Sequence, residues 1–266
     1  MNRLQQIRLG ATFLMRKRSG KIKPVAALWE LDAPTGSPSP DTDAALTRLD
    51  KLADSGVRLV IFSGLRKESR PDMATLIRFA RQRGMVTAID TYGDTIGQHL
   101  EALEQTDRVR FFVEGAKEYH DAIHGNGAYD RLLGAIEVLL VRGVDVGLRS
   151  IVTTENVDHL SDTIAVGRRY DAPILFDPAP GTDQTARMET YRFLEKTKAA
   201  GDPVANSPEG LALLFEQHPN NAAENSLLIR ISHDGAITTE DRDECARSVE
   251  FALLRAITLT DVKKYI

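Results

Sequence analysis

Apolar and polar positions follow two different periods along this chain, and the periods take turns. Short runs rich in β-branched residues fall at 25–30, 57–63, 85–90, 109–114, 144–152 and 173–177. Between them the apolar positions shift to helical spacing. Residues 43–54 place Ala45, Leu46, Leu49, Leu52 and Ala53 on one helical face. Residues 73–83 do so with Met73, Leu76, Ile77 and Ala80, and residues 129–142 with Leu132, Leu133, Ile136, Leu139 and Leu140. Strand-like runs about thirty residues apart, with helical patterns between them, have the spacing of strand–helix–strand units. The boundary residues agree. Asp41 and Thr42 offer N-caps, Pro71 suits a first helical turn, and Gly56, Gly84 and Gly143 each stand between a helix and the next strand. The expectation is a parallel sheet with crossover helices, either open and doubly wound or curved into a partial barrel.

The pattern changes after Pro180. Residues 185–200 read as a helix, and 208–218 as another with Ser207 as N-cap and Pro208 in its first turn. Residues 227–231 and 236–238 read as a hairpin turning at His233-Asp234-Gly235, and 240–256 as a closing helix. Residues 33–40 form a Pro-, Ser- and Gly-rich loop after the first strand. Three parts are therefore expected: an N-terminal arm over 1–22, an α/β unit over 23–182, and an α+β extension over 183–266.

Composition narrows the function. A hydrophobic fraction of 42%, a charged fraction of 27% and a net charge of −4 describe an ordinary globular chain. They argue against general nucleic-acid binding, which needs a basic field to neutralise phosphates. No apolar run is long enough to cross a bilayer. The basic residues Arg16-Lys17-Arg18 follow the N-terminal apolar positions instead of preceding them, which is the wrong order for a signal peptide. The arm is read as packed on its own domain, with a membrane-surface contact as the alternative. A single cysteine, Cys245, excludes an intramolecular disulfide, and a cytoplasmic protein is the default.

Two blocks carry a family resemblance. Residues 57–96 read VRLVIFSGLRKESRPDMATLIRFARQRGMVTAIDTYGDTI: a strand, an Arg-Pro-Asp before a helix, then a second strand. Residues 109–160 contain Val113-Glu114-Gly115, His120-Asp121-Ala122-Ile123-His124-Gly125, and Gly147-Leu148-Arg149 leading to Thr153. In order and spacing these resemble the radical SAM enzymes that mature peptides and cofactors. The resemblance covers roughly residues 23–182. It implies a six-stranded (β/α)6 partial TIM barrel. Residues 226–242 resemble the hairpin of SPASM-type extensions.

The departures from that family are as informative. Its Cys-x3-Cys-x2-Cys cluster loop falls here on ELDAPTGSPSPDTDA, residues 30–44, which holds no cysteine. Iron in such clusters needs thiolates. The family's Gly-Gly-Glu-Pro, which holds the amino group of SAM, falls on Gly64-Leu65-Arg66-Lys67. Leu65 hinders close backbone approach, and Arg66 would repel an ammonium. The Ser that commonly precedes Leu-Asp-Gly is Phe112, and the Asn-Gly after strand three is Tyr92-Gly93. From these departures no cofactor is expected: an iron–sulfur cluster is excluded, and SAM is kept only as the least favoured alternative.

Other chemistry is sought at the C-terminal ends of the strands, where βα barrels work. Those ends carry Glu30 and Asp32, Ser63 with Arg66 and Lys67, then Asp90, Glu114, Arg149 and Asp177. Glu30, Asp90, Glu114 and Asp177 are the candidate ligands or acid/base groups, provided burial moves their pKa values apart. Ser63, Gly64, Arg66, Lys67 and Arg149 are the candidate ligand-binding residues, with Arg66-Lys67 as an anion clamp. Opposed to this is a plain structural role, in which Glu114 and Asp177 pair with Arg149 or Arg66. His120 and His124, four apart, have metal-pair spacing on a helix. The family-like pattern accounts for His120 without a metal, and Gly125 and Gly127 interrupt the helix, so no metal is expected there.

The leading reading is a radical SAM-like protein that works by binding, with a precursor peptide or an active homologue as partner. The alternatives are a barrel enzyme using metal or acid/base chemistry on a small anionic substrate, and a cluster-free SAM-binding protein.

Overall fold

The computed structural model describes residues 26–31, 39–216 and 228–238. The expected N-terminal arm, Asp32, most of the loop after the first strand, the closing helix and Cys245 lie outside the described residues.

Strands and helices alternate in the expected order. β1 (Ala26–Glu30) leads to α1 (Thr42–Ser55), β2 (Leu59–Leu65), α2 (Met73–Gln82), β3 (Val86–Thr91), α3 (Ile96–Gln105) and β4 (Arg108–Phe112). After β4 come two short helices, α4 (Lys117–His124) and α5 (Ala128–Val141), then β5 (Val146–Val152), α6 (Leu160–Tyr170), β6 (Ile174–Pro178) and α7 (Gln184–Ala199). The chain continues through α8 (Pro208–Leu211), which runs into a π-helical turn (Ala212–Glu216), and a hairpin of β7 (Leu228–Ile231) and β8 (Ile237–Thr238).

The signals at the helix ends act as their chemistry requires. Asp41 accepts a hydrogen bond from the Ala44 amide at 2.8 Å and caps α1. Gly56 closes the same helix at φ 92°, a conformation open to glycine. Pro71 lies just before α2 rather than in its first turn.

Strand order decides the architecture. The sheet runs β6-β5-β4-β3-β2-β1-β7-β8, and β1 to β6 are parallel and adjacent in chain order. Right-handed crossovers between successive neighbours place every helix on the same side. The sheet therefore curls around its uncovered face as a partial barrel, and the open doubly wound form is excluded. The expectation of six strands is corrected in one respect. β7 adds to β1 in parallel as a seventh strand, and β8 follows it antiparallel. The hairpin thus belongs to the barrel sheet itself.

Strand alternation separates the two faces. Val60, Phe62, Ile89, Val109, Phe111, Leu148, Ile174 and Phe176 join Leu49, Leu76, Ile77, Leu132, Ile136 and Ile164 of the helices in one apolar core. Their strand neighbours Asp90, Arg110, Arg149 and Asp177 therefore point to the inner face. At the β6 edge, Asn206 is fully buried and takes the place of a neighbouring strand. Its side chain accepts from the Phe176 amide at 2.9 Å and donates to the Phe176 carbonyl at 2.8 Å.

Candidate functional site

The inner face holds a buried ion network. Arg110 donates from Nε and Nη2 to the two oxygens of Asp90, at 2.6 and 2.9 Å. Arg149 donates from Nη1 to Asp90 at 2.7 Å and from Nε to Asp177 at 2.8 Å. Two carboxylates thus face two guanidiniums, all nearly excluded from solvent. Burial by itself would raise the pKa of Asp90. The charges of Arg110 and Arg149 and their hydrogen bonds outweigh it and hold the carboxyl below its ordinary range. The second oxygen of Asp177, Oδ1, is buried without a hydrogen-bond partner.

Beside this network lies an aromatic stack. The Arg66 guanidinium carbon sits 3.9 Å from the centre of the Tyr92 ring. Tyr92 stacks on Phe112 at 4.8 Å between centroids, and Arg149 lies 5.6 Å over the far ring. Arg66 is thus drawn across Tyr92 by a cation–π contact. Gly64 takes φ 83° where the β2–β3 register shifts between Ser63 and Leu65, a backbone turn that a side chain would strain. Ser63 is half-buried, and Lys67 is solvated beside Glu68.

The four candidate carboxylates do not form one ring. Asp90 and Asp177 are joined through Arg149. Glu30 pairs with Arg230 of β7, Nε to Oε1 2.9 Å. Glu114 lies just past β4 and meets His124 of α4, with 2.5 Å between Oε2 and Nε2. The structural pairing expected of Asp177 with Arg149 is present, whereas Glu114 takes a histidine and Arg66 an aromatic ring.

Sequence reasoning missed Arg110 and the approach of Glu114 to the two histidines. Arg110 carried a usable signal: it shares strand parity with Arg108 and Phe112, opposite Val109 and Phe111, which marks the inner face. Asp121 was quoted only as part of a pattern, and its task is local. It accepts from the Tyr129 amide at 2.7 Å and the Gly127 amide at 3.2 Å, which fixes the start of α5. Those backbone hydrogen bonds hold its carboxyl below the ordinary range.

Comparison with known proteins agrees with the geometry. The model of the Radical SAM superfamily matches residues 28–166, just over half of the chain. This chain belongs to that superfamily. Among characterised relatives, the Fe-coproporphyrin III synthase of Methanosarcina barkeri (strain Fusaro / DSM 804) is 30% identical over 140 residues, 51% of this chain and 32% of the relative. The PqqA peptide cyclase of Ruegeria pomeroyi (strain ATCC 700808 / DSM 15171 / DSS-3) is 30% identical over 129 residues, 47% of this chain and 34% of the relative. The match spans about a third of each relative's length. Streptococcus suis SuiB, solved bound to S-adenosylmethionine, shares the fold at a TM-score of 0.61 and 11% identity, covering 86% of this chain and 61% of SuiB.

These findings correct the expectation of a protein without cofactors. The superfamily carries the name of SAM, and a structure of the same fold holds it. The physical reason for excluding SAM also weakens. Arg66 lies on Tyr92, so its guanidinium is held against that ring. Gly64, itself buried, takes a positive-φ turn near the end of β2. A cluster held by three thiolates makes a different demand on the donor set, and this sequence contains one cysteine. The residues of this chain alone do not fit such a three-thiolate set.

Proposed function

We propose that this chain serves in the maturation of a peptide or a peptide-derived cofactor as a binding subunit of a radical SAM system. It holds a precursor peptide, or an active homologue that brings the cysteine-ligated cluster. SAM is a ligand in this reading, received at Gly64 and the backbone after it. The observation that carries the reading is the joint state of the barrel: the strand order and inner face of the superfamily, with a single cysteine in the sequence. The paired state of Asp90 and Asp177 supports it further, since carboxylates already engaged by two arginines are poorly placed to bind metal or move protons. The relative named as a PqqA peptide cyclase supports a peptide setting.

The test is affinity purification of the tagged chain from its native host, followed by mass spectrometry. A homologue bearing Cys-x3-Cys-x2-Cys, or a short precursor peptide, recovered in stoichiometric amount is the expected result. Recovery of neither, together with turnover of a peptide by the chain alone, would overturn the reading. Calorimetry with SAM adds a second readout. A dissociation constant of about 100 μM or tighter, roughly 5 kcal/mol or more, is expected.

A further inference from the structure

Glu114, His120 and His124 are brought to one point by two separate elements. Glu114 follows β4 at the C-terminal end of the barrel, the end at which such folds carry their working groups. Gly115 then turns the chain at φ 84°, and a Cβ there would come within 2.7 Å of the His159 side chain. The Gly115 amide is held by the Thr163 hydroxyl at 3.0 Å, which fixes where Glu114 leaves the strand. α4 begins two residues later. His120 and His124 lie four apart on it, so both rings face the same side.

One donor atom from each of the three residues lies within 4.8 Å of the others. The two imidazole centroids are 4.6 Å apart. Tyr92 tilts against His124 at 5.3 Å and Tyr129 meets His120 edge-on at 5.9 Å, so both rings are braced by aromatics.

His120 is the informative member. It is 3% exposed, and its Nδ1 is buried with no hydrogen-bond partner. A buried polar atom of this kind calls for a physical explanation.

We propose that Glu114, His120 and His124 bind a divalent transition metal of the zinc kind, leaving a fourth position open. Two imidazoles and one carboxylate are a ligand set that zinc accepts, with three protein ligands and one exchangeable site. Magnesium and calcium prefer all-oxygen shells and fit poorly. Bonds of about 2.0–2.1 Å set tetrahedral ligand atoms roughly 3.3 Å apart. The Glu114–His124 contact of 2.5 Å needs only a small opening to admit the ion. The side chains of Glu114 and His124 are 14% and 16% exposed, which gives the ion a way in. This site does not depend on the proposed binding-subunit role.

The test uses the full chain, stripped with a chelator and titrated with Co2+ as a spectroscopic stand-in for Zn2+. One equivalent with the visible bands of a four-coordinate centre is expected, displaced by Zn2+. Glu114→Gln and His124→Gln should each weaken binding by at least about tenfold, the lower end of what loss of even an outer-shell partner costs. Cys245→Ser should leave it unchanged. Circular dichroism checks that each variant folds. If one does not, Co2+ broadening of the His120 and His124 ring resonances in the unaltered chain reads the same site. The proposal is overturned by absent stoichiometric binding, by binding that survives both substitutions or is lost in Cys245→Ser, or by broadening at other residues.

Discussion

Two groups of ionisable side chains stand in the same barrel and differ in how their charges are matched. Asp90, Arg110, Arg149 and Asp177 balance one another, two negative against two positive, in near-complete burial. Glu114 and His124 are partly open beside the buried His120, and the three set one carboxylate against two imidazoles. The first group has the form of a strut between β3, β4, β5 and β6. The second has the form of a ligand set. Proximity of titratable groups would have marked both as functional. Asp177 Oδ1 and His120 Nδ1 are both buried without a partner, so it is the balance of charge that tells the groups apart.

The largest expected effect breaks the strut. Arg149→Leu leaves Asp90 with one guanidinium and Asp177 with none, and removing one partner of a buried ion pair costs about 3–5 kcal/mol. Urea unfolding should show that loss, and a change under about 1 kcal/mol would mean the strut bears little.

Acid attacks the same group. Asp90 has a folded-state pKa below its unfolded value of about 3.9. The unfolded chain therefore takes up this proton first. The stabilisation is present above about pH 4 and is lost as pH falls through the folded value. In thermal melts, Asp90→Asn should lower stability at neutral pH and flatten the decline below pH 4. An unchanged acid slope would remove Asp90 from the explanation.

A smaller effect lies in the second region. Asp121→Ala removes two hydrogen bonds at the start of α5 and should cost about 1 kcal/mol, as loss of a helix cap does. It should also loosen α4 and weaken Co2+ binding, whereas Asp90→Asn should not.

The smallest effect sharpens the contrast. Glu114→Gln in the metal-free protein removes only a partly exposed Glu–His pair and should change stability by under about 1 kcal/mol. With one equivalent of Zn2+ present, the gap from the unaltered chain should widen, because a ligand that binds only the folded state stabilises it. An equal gap with and without zinc would assign Glu114 to the scaffold.

Much of the fold was legible in the chain because each level repeats the same message. The apolar run of Val57 to Ser63, the stripe of Leu132, Ile136 and Leu139, and Gly56, Gly84 and Gly143 each mark the strand–helix unit independently. The choice of a curled sheet was not legible from periodicity, since it depends on the order in which strands meet. The pairing of β7 with β1 escaped for the same reason: a contact between Ala27 and Ile229 leaves no local trace. In the site, Asp177 with Arg149 was foreseen. Glu114 with two histidines was not, because it depends on the turn at Gly115 and on the angle at which α4 returns over β4.

One detail at the rim of the sheet reaches beyond the single molecule. A partial barrel leaves β6 with backbone groups that could template another extended chain, and bare edges of this kind are where β-proteins aggregate. Asn206 occupies both hydrogen-bonding groups of Phe176 with a single carboxamide, while the backbone of Pro203 and Ala205 takes the amide and carbonyl of Ile174 at 2.7 Å each. A four-residue stretch of loop thus does for the β6 edge what closure does for a complete barrel: it lets a curved sheet stop without inviting a stranger to continue it.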